Sequence, residues 1–352
     1  MKRKSMLPTP VDLTLDEIQS HFGTDEKARP VFRGNPLAKW SCLSALKRAA
    51  FALAVAVAFA TAGVTNLEAQ STGDKEGKLQ AVRGSAEGGV PKSAFFVGVG
   101  PGYSFTNFGT QSVFNKGISN VFDEGMLVAS GMAVGPPVEP DLASESNFIP
   151  MVQTGYFRHF GESNWLWGAK FSYSYLGTTS SVQNLIIPQF GTSTNPNLSS
   201  FTGFSVTKSY SVSIYNETNF FSFIGRSFGK TFVYLGGGLS LSQIKGSLND
   251  IVGYATINEN LTNISGVPQS TSSTDWRCGA AATCGITYFL SPSWFLDLGY
   301  FFTAPTSRTI STRSSFNNPG DGSLAFRGTL IGTYTANVDN THAVAISINK
   351  AF

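Results

Sequence analysis

The stretch WRCGAAATCGITYFLSPSWFLDLGYFF, Trp276 to Phe302, holds two cysteines six residues apart and a break, Ser291-Pro292-Ser293, near its middle. Taking every second residue puts Trp276, Cys278, Ala280, Ala282, Cys284, Ile286, Tyr288 and Leu290 on one side. Arg277, Gly279, Ala281, Thr283, Gly285 and Thr287 fall on the other. That period of two belongs to a strand, since a helix repeats near 3.6. Past the break, Leu296, Leu298, Tyr300 and Phe302 oppose Asp297, Gly299 and Thr303, so the two runs and their turn read as a hairpin. Phe289 and Phe301, near strand ends, are exceptions to the pattern.

A soluble sandwich alternates too, so the composition of the polar side carries the decision. Here it is mostly Gly, Ser and Thr with a few charges, which suits a narrow, wet interior. Aromatics at the ends of the apolar side suit the two interfaces of a bilayer. The same two faces recur: Phe95, Val97, Val99, Tyr103 and Phe105 oppose Gly98, Gly100, Gly102, Ser104 and Thr106, and Trp165, Trp167, Ala169, Phe171, Tyr173 and Tyr175 oppose Gly168, Lys170, Ser172 and Ser174. Further strands are expected at 148–160, around 208–221, at 231–242 and at 341–352, making eight. The connections at 161–164, 225–230 and 291–293 are short, whereas 107–147, 177–205, 243–273 and 304–340 are long. Strict alternation of short and long links is what a barrel with a periplasmic end and an outer end requires. The expected fold is all-β, an eight-stranded antiparallel transmembrane β-barrel over 93–352 with short periplasmic turns and long extracellular loops. A further hairpin from GTLIGTYTANV, Gly328 to Val338, would lengthen a surface loop rather than add spans.

After residue 70 no segment has the roughly 18 continuous apolar residues of a membrane helix. The long apolar run, 49–64, follows Lys47 and Arg48 and precedes the small residues Ala60-Thr61-Ala62, so 1–69 reads as an extended leader with a signal peptide, and 70–92 as a periplasmic linker. Residues 71–352 carry sixteen basic and sixteen acidic side chains, which gives no electrostatic case for a nucleic-acid partner. Cys42 belongs to the leader, while Cys278 and Cys284 share one side of one strand, roughly 20 Å apart, too far for a disulfide or a shared metal.

From Ser93 to the C-terminus the chain resembles the small outer-membrane β-barrels of Gram-negative bacteria, the OmpA-type, OmpW-type and Opa/Ail-type group. The last residue, Phe352, with Ile348, Ile346 and Val344 at alternate positions, matches the C-terminal assembly signal of that group, and WFLDLGYFF looks like its penultimate strand; Lys350 departs from the pattern. The resemblance implies residence in the bacterial outer membrane, contact with its lipid, and delivery by the barrel-assembly machinery.

The inward charges expected from the alternation are Lys170, Glu217, Arg277 and Asp297, a lumen network of two of each sign in which Lys170 and Glu217, on neighbouring strands, sit where a direct pair is expected. Nothing in the spacing calls for a cofactor or metal: there is no HExxH, no phosphate-binding glycine loop and no metal-spaced Cys/His cluster. Gly236-Gly237-Gly238 reads as a place where the barrel bends or packs tightly. His159 and His342 lie at opposite ends, which leaves a triad of His342 with Asp339 or Ser323 as the one catalytic arrangement to name. Leu185, Ile186, Ile187 and Phe190 form an apolar group in the second long connection, either a contact surface or an extension of the flanking strands. The leading expectation is a non-enzymatic barrel anchoring surface loops that meet an extracellular or envelope protein partner. A narrow porin-like channel for small or hydrophobic solutes is the alternative, and an outer-membrane hydrolase or acyltransferase a third.

Overall fold

The computed structural model describes residues 89–195, 200–257, 260–319 and 324–352. The leader, the apolar run at 49–64 and the linker up to residue 88 lie outside the described residues. Residues 89–92 run along the periplasmic end, where Val90 N donates to Gly229 O (3.1 Å) and Lys92 forms an exposed ion pair with Glu162 (2.8 Å).

Eight strands pair antiparallel in a ring: β1 (Ser93–Asn107), β6 (Glu145–His159), β7 (Trp165–Ser193), β8 (Ser200–Phe228), β9 (Thr231–Ile257), β11 (Gln269–Ser291), β12 (Trp294–Pro305) and β15 (Asn340–Ala351), with β15 returning to β1. These are the eight strands expected from the alternation. The register shows how steeply they lean. Thr287 faces Asp297, Asp297 faces Ser347, Gly100 faces Met151, then come Ser174, Glu217, Ser242 and finally Arg277, so one circuit returns to β11 ten residues from its start, from Thr287 to Arg277. With the usual rise per residue and strand spacing, this shear corresponds to a tilt of roughly 41°, within the range of closed barrels.

The long connections are not open loops. β7 and β8 each run for 29 residues, about 95 Å of extended chain, where a tilted crossing needs roughly 9–11 residues. Above the membrane level the shorter strands β1, β6, β12 and β15 give way to β3 (Val113–Asp123), β4 (Met126–Val134), β13 (Thr309–Asn318) and β14 (Leu324–Thr335), while the two-residue strands β2 (Gly109–Thr110) and β5 (Asp141–Leu142) pair with each other and the short β10 (Asn260–Asn263) folds back on β9. The upper wall runs β13-β14-β3-β4-β7-β8-β9-β11. At its seam Ser314 Oγ donates to Gln269 Oε1 (2.7 Å), joining β13 to β11. The protein is thus built in two storeys sharing four strands, and the β13–β14 hairpin lengthens a surface connection, as expected for Gly328 to Val338.

Two belts of irregularity separate regions of different side-chain parity. At the first, pairing slips between Tyr175 and Thr178 on β7 and between Ile214 and Glu217 on β8, with Gly177 at φ +59°. At the second, Asn184 and Asp250 adopt φ +53° and +51°, and Lys208 pairs with Asp250 (3.5 Å) between them. At the first belt the inward side of β8 passes from Glu217, Asn219 and Phe221 to Tyr210, Val212 and Ile214, while β7 keeps Thr178 and Ser180 inward with Lys170; at the second, β7, β8 and β9 all reverse.

Inward glycines make room for inward rings. A Cβ on Gly168 would lie 2.3 Å from Phe223 and 2.4 Å from the Tyr156 carbonyl, and one on Gly155 would lie 2.6 Å from Phe96. Gly236 and Gly238 are pressed against β8 in the same way, which accounts for the glycine run as tight packing. Gly168→Val is therefore expected to destabilise the folded barrel by about 1–3 kcal/mol, read as a lower urea midpoint in lipid vesicles; an unchanged midpoint would contradict this packing.

Candidate functional site

The lower lumen is filled in layers. At the periplasmic end Phe96, Phe157, Phe232, Phe289 and Phe295 pack together, with ring centroids 4.9 Å apart for Phe289 and Phe295 and 5.3 Å for Phe157 and Phe232. Above them, Asp297 is held by four donors: Lys170 Nζ (3.3 Å), Tyr234 OH (3.0 Å), Thr287 Oγ1 (3.2 Å) and Gln153 Nε2 (3.0 Å). Lys170 and Asp297 are both nearly inaccessible to solvent, and the ammonium also lies 4.5 Å from the centroid of the Tyr234 ring. A buried pair of this kind stands only because each charge is also hydrogen-bonded or solvated by a ring face. Next come Phe221 and Phe301, 5.8 Å apart, with Ile149, Met151 and Ala281.

The next polar level holds Glu217, which accepts from Asn219 Nδ2 (3.0 Å), Thr303 Oγ1 (2.9 Å) and Ser242 Oγ (3.3 Å). Arg277 lies level with it across Ser242, and its Nη1 donates to the carbonyl of Ala336. Above this level the interior is apolar again, with Phe108, Leu176, Tyr210, Ile214, Ile244, Leu248 and Tyr334 all but fully buried. Tyr334 OH donates to Gly246 O (2.9 Å), and burial pushes its phenol up to about 12, so it remains a donor across the physiological range. Gln111 ties the junction of the storeys: its Nε2 donates to Phe108 O (2.6 Å) and its Oε1 accepts from Asn337 N (2.8 Å).

Outside, the same strands present lipid-compatible surface. Val97, Val99, Val152, Leu235, Leu239, Ile286, Leu298, Val344, Ile346 and Ile348 are exposed in a band. Trp165, Trp167, Tyr288 and Trp294 border it at the periplasmic end, and Tyr103, Phe105, Phe148, Tyr175 and Trp276 at the other. An apolar band between two aromatic girdles on a closed ring has one environment. The chain is a transmembrane β-barrel. Single-chain barrels of this build belong to the bacterial outer membrane.

The sequence matches no protein-family model and none of the curated proteins. Among solved structures it is similar to the attachment invasion locus protein Ail of Yersinia pestis (11% identity, 66% of this chain and 98% of that one, TM-score 0.20). It is also similar to Neisserial surface protein A (11%, 68% and 95%, TM-score 0.22) and to the outer-membrane protease OmpT of Escherichia coli (9%, 74% and 97%, TM-score 0.24). Likenesses this slight carry no functional argument, and the architecture stands on the closed ring and its lipid-facing band.

All four inward charges lie in the lumen, but their pairing differs from the expectation. Lys170 faces Phe221 across β7 and β8, whereas Glu217 faces Ser174, four residues further along, about 13 Å of strand. Lys170 instead meets Asp297 on β12, the strand diametrically opposite in the ring. Glu217 and Arg277 have no ion-pair partner among the described residues. Phe289 and Phe301 point inward with the small residues, where they fill the lumen. Cys278 and Cys284 lie on the outward side. Phe352, Ile348, Ile346 and Val344 face lipid, and Lys350 Nζ lies 5.6 Å from the ring centroids of both Trp294 and Phe352, so its charge is accommodated at the interface.

His342 faces outward from β15, its Nδ1 2.6 Å from Tyr300 OH and its ring against Phe302; Ser323 lies outside the described residues. His159, at the periplasmic end, contacts Ser227 Oγ (3.0 Å). Of the apolar group in the second connection, Ile187 is fully buried and Leu185 packs on the core, so these residues extend β7 rather than forming a patch, leaving Phe190 exposed. The residues that sequence reading passed over are the inward phenylalanines, Tyr234 and Gln153. Each sits at an inward parity position, but an aromatic ring there does not by itself mark the inner face.

Proposed function

We propose that this protein is a sealed outer-membrane anchor whose upper storey is a rigid platform for a partner at the cell surface. The observation that carries the reading is the combination of a lumen filled from the periplasmic phenylalanines to the apolar core of the upper storey and surface connections built as paired strands. A channel would need a continuous wet path, and the stacked apolar layers argue against one. An enzyme would need a reactive group aimed at a cleft, whereas His342 is turned to the outside of the barrel. The contact surface best suited to a protein partner is the β3–β4 hairpin, where Met126, Leu127 and Val128 stand exposed in succession.

The protein refolded into planar bilayers is expected to show no conductance steps; reproducible steps altered by Lys170→Ala would favour the channel reading instead. Cells displaying the protein should bind a host surface or matrix component through this storey. Trimming the four outer hairpins should remove binding while leaving heat-dependent gel migration intact. Unchanged binding after all four deletions would remove the anchoring reading.

A further inference from the structure

The upper storey differs from the lower in leaving room inside. A cavity of about 90 Å³ lies near its outer end, lined by β3, β4, β7, β8, β9, β13 and β14 together with Ile264 and Ser265. Its wall is apolar, with Phe201, Phe316 and Phe326 contributed by three different strands and Ala133, Ala255 and Leu330 between them. In the lower storey each inward glycine meets a neighbour at once, as Gly168 meets Phe223. Gly117 lines the upper cavity, and a Cβ there would meet nothing within 4 Å. Packed interiors leave few voids of this size, and an apolar void is a site for an apolar guest.

One polar group in the wall is unsatisfied. Ser119 lines the space, but its Oγ is turned away from it, buried and without a hydrogen bond, a state that carries a cost and that a partner in the space would relieve. The other hydrogen-bonding side chains of the wall are engaged: Gln189 Nε2 donates to Asn115 O (3.2 Å) and Ser205 Oγ (3.4 Å), Ser193 Oγ accepts from Asn195 N (3.1 Å) and Ser265 Oγ accepts from Gly253 N (2.7 Å). Below the cavity Leu330, Ile187 and Leu248 belong to the filled core, so the space is a blind pocket rather than an entrance.

We propose that this pocket binds a small single-ring phenol, its ring among Phe201, Phe316 and Phe326 and its hydroxyl on Ser119 Oγ, which a turn about χ1 brings to face the space. Three aromatic walls favour a flat aromatic guest through edge and offset contacts, and one orphan hydroxyl matches one guest hydroxyl. The volume suits one ring and not an extended acyl chain.

The test uses the full chain in lipid nanodiscs, with 4-fluorophenol and fluorobenzene titrated from the aqueous phase and followed by fluorine NMR. Saturable binding of both probes is expected in the wild type and its loss in Gly117→Phe, which fills the pocket. Ser119→Ala should weaken 4-fluorophenol about two- to tenfold, the worth of one neutral hydrogen bond, and leave fluorobenzene unchanged. Ala133→Leu, on another strand, closes the same space should Gly117→Phe fail to fold by gel migration. Absence of saturable binding in the wild type, or equal binding by a folded, filled variant, overturns the proposal. Equal weakening of both probes by Ser119→Ala overturns the role of the hydroxyl. No surface partner is needed, so the result is independent of the anchoring reading.

Discussion

Replacing Asp297 with alanine is expected to lower the stability of the barrel by about 3–5 kcal/mol, because it leaves the Lys170 ammonium buried without its counter-charge. The loss falls on a whole network, since Tyr234 OH, Thr287 Oγ1 and Gln153 Nε2 donate to the same carboxylate. Asp297→Asn should cost less, as the amide oxygen still accepts from Tyr234 or Thr287, but it too leaves the ammonium uncompensated. Adding Lys170→Met to Asp297→Ala should then cost little more, because the stranded charge has gone; the two changes act on one interaction and are not additive. Urea midpoints in vesicles, with gel migration reporting the folded fraction, would read these variants beside Lys170→Met alone and the parent protein. Equal, additive losses from the two single changes would mean that the pair across the lumen contributes little.

Phe157→Ala is expected to cost about 3–5 kcal/mol by the same measurement, as a fully buried ring leaves a cavity among Phe96, Phe232 and Phe289. It should nevertheless leave the bilayer silent. The Lys170–Asp297 level, the Phe221–Phe301 layer and the apolar core of the upper storey all remain above the vacated space. Conductance appearing in this single variant would place the only barrier at the periplasmic end and undo the argument for a filled lumen.

Much of the lower storey was legible because a membrane constrains both faces at once. Lipid demands apolar residues outside and a narrow lumen favours small or paired polar residues inside, so alternation located β1, β6, β7, β8, β9, β11, β12 and β15 and put Lys170, Glu217, Arg277 and Asp297 inside. Inward phenylalanines were harder to read. An aromatic residue breaks the simple polar-in rule, and its place becomes clear only when the facing glycine is known, as with Gly168 and Phe223. Above the membrane that double constraint ends. Outward positions there face water, composition no longer separates the faces, and the long connections pass for loops although they are paired strands.

The number of spans, their direction and the side of each strand that meets lipid were therefore determined by the sequence alone, since each depends on a local period of two. Who pairs with whom across the lumen was decided only by the tertiary structure. Closure with a ten-residue shear brings Lys170 on β7 to Asp297 on the opposite strand, a contact that no reading of neighbouring strands can produce. The slip near Ile214, and the left-handed residues Asn184 and Asp250, likewise reverse the parity that sequence reading depends on. Each inserts one residue at a place set by the register of the strand beside it. The upper cavity, lined by strands drawn from between Val113 and Thr335, exists only once those reversals have turned its wall inward.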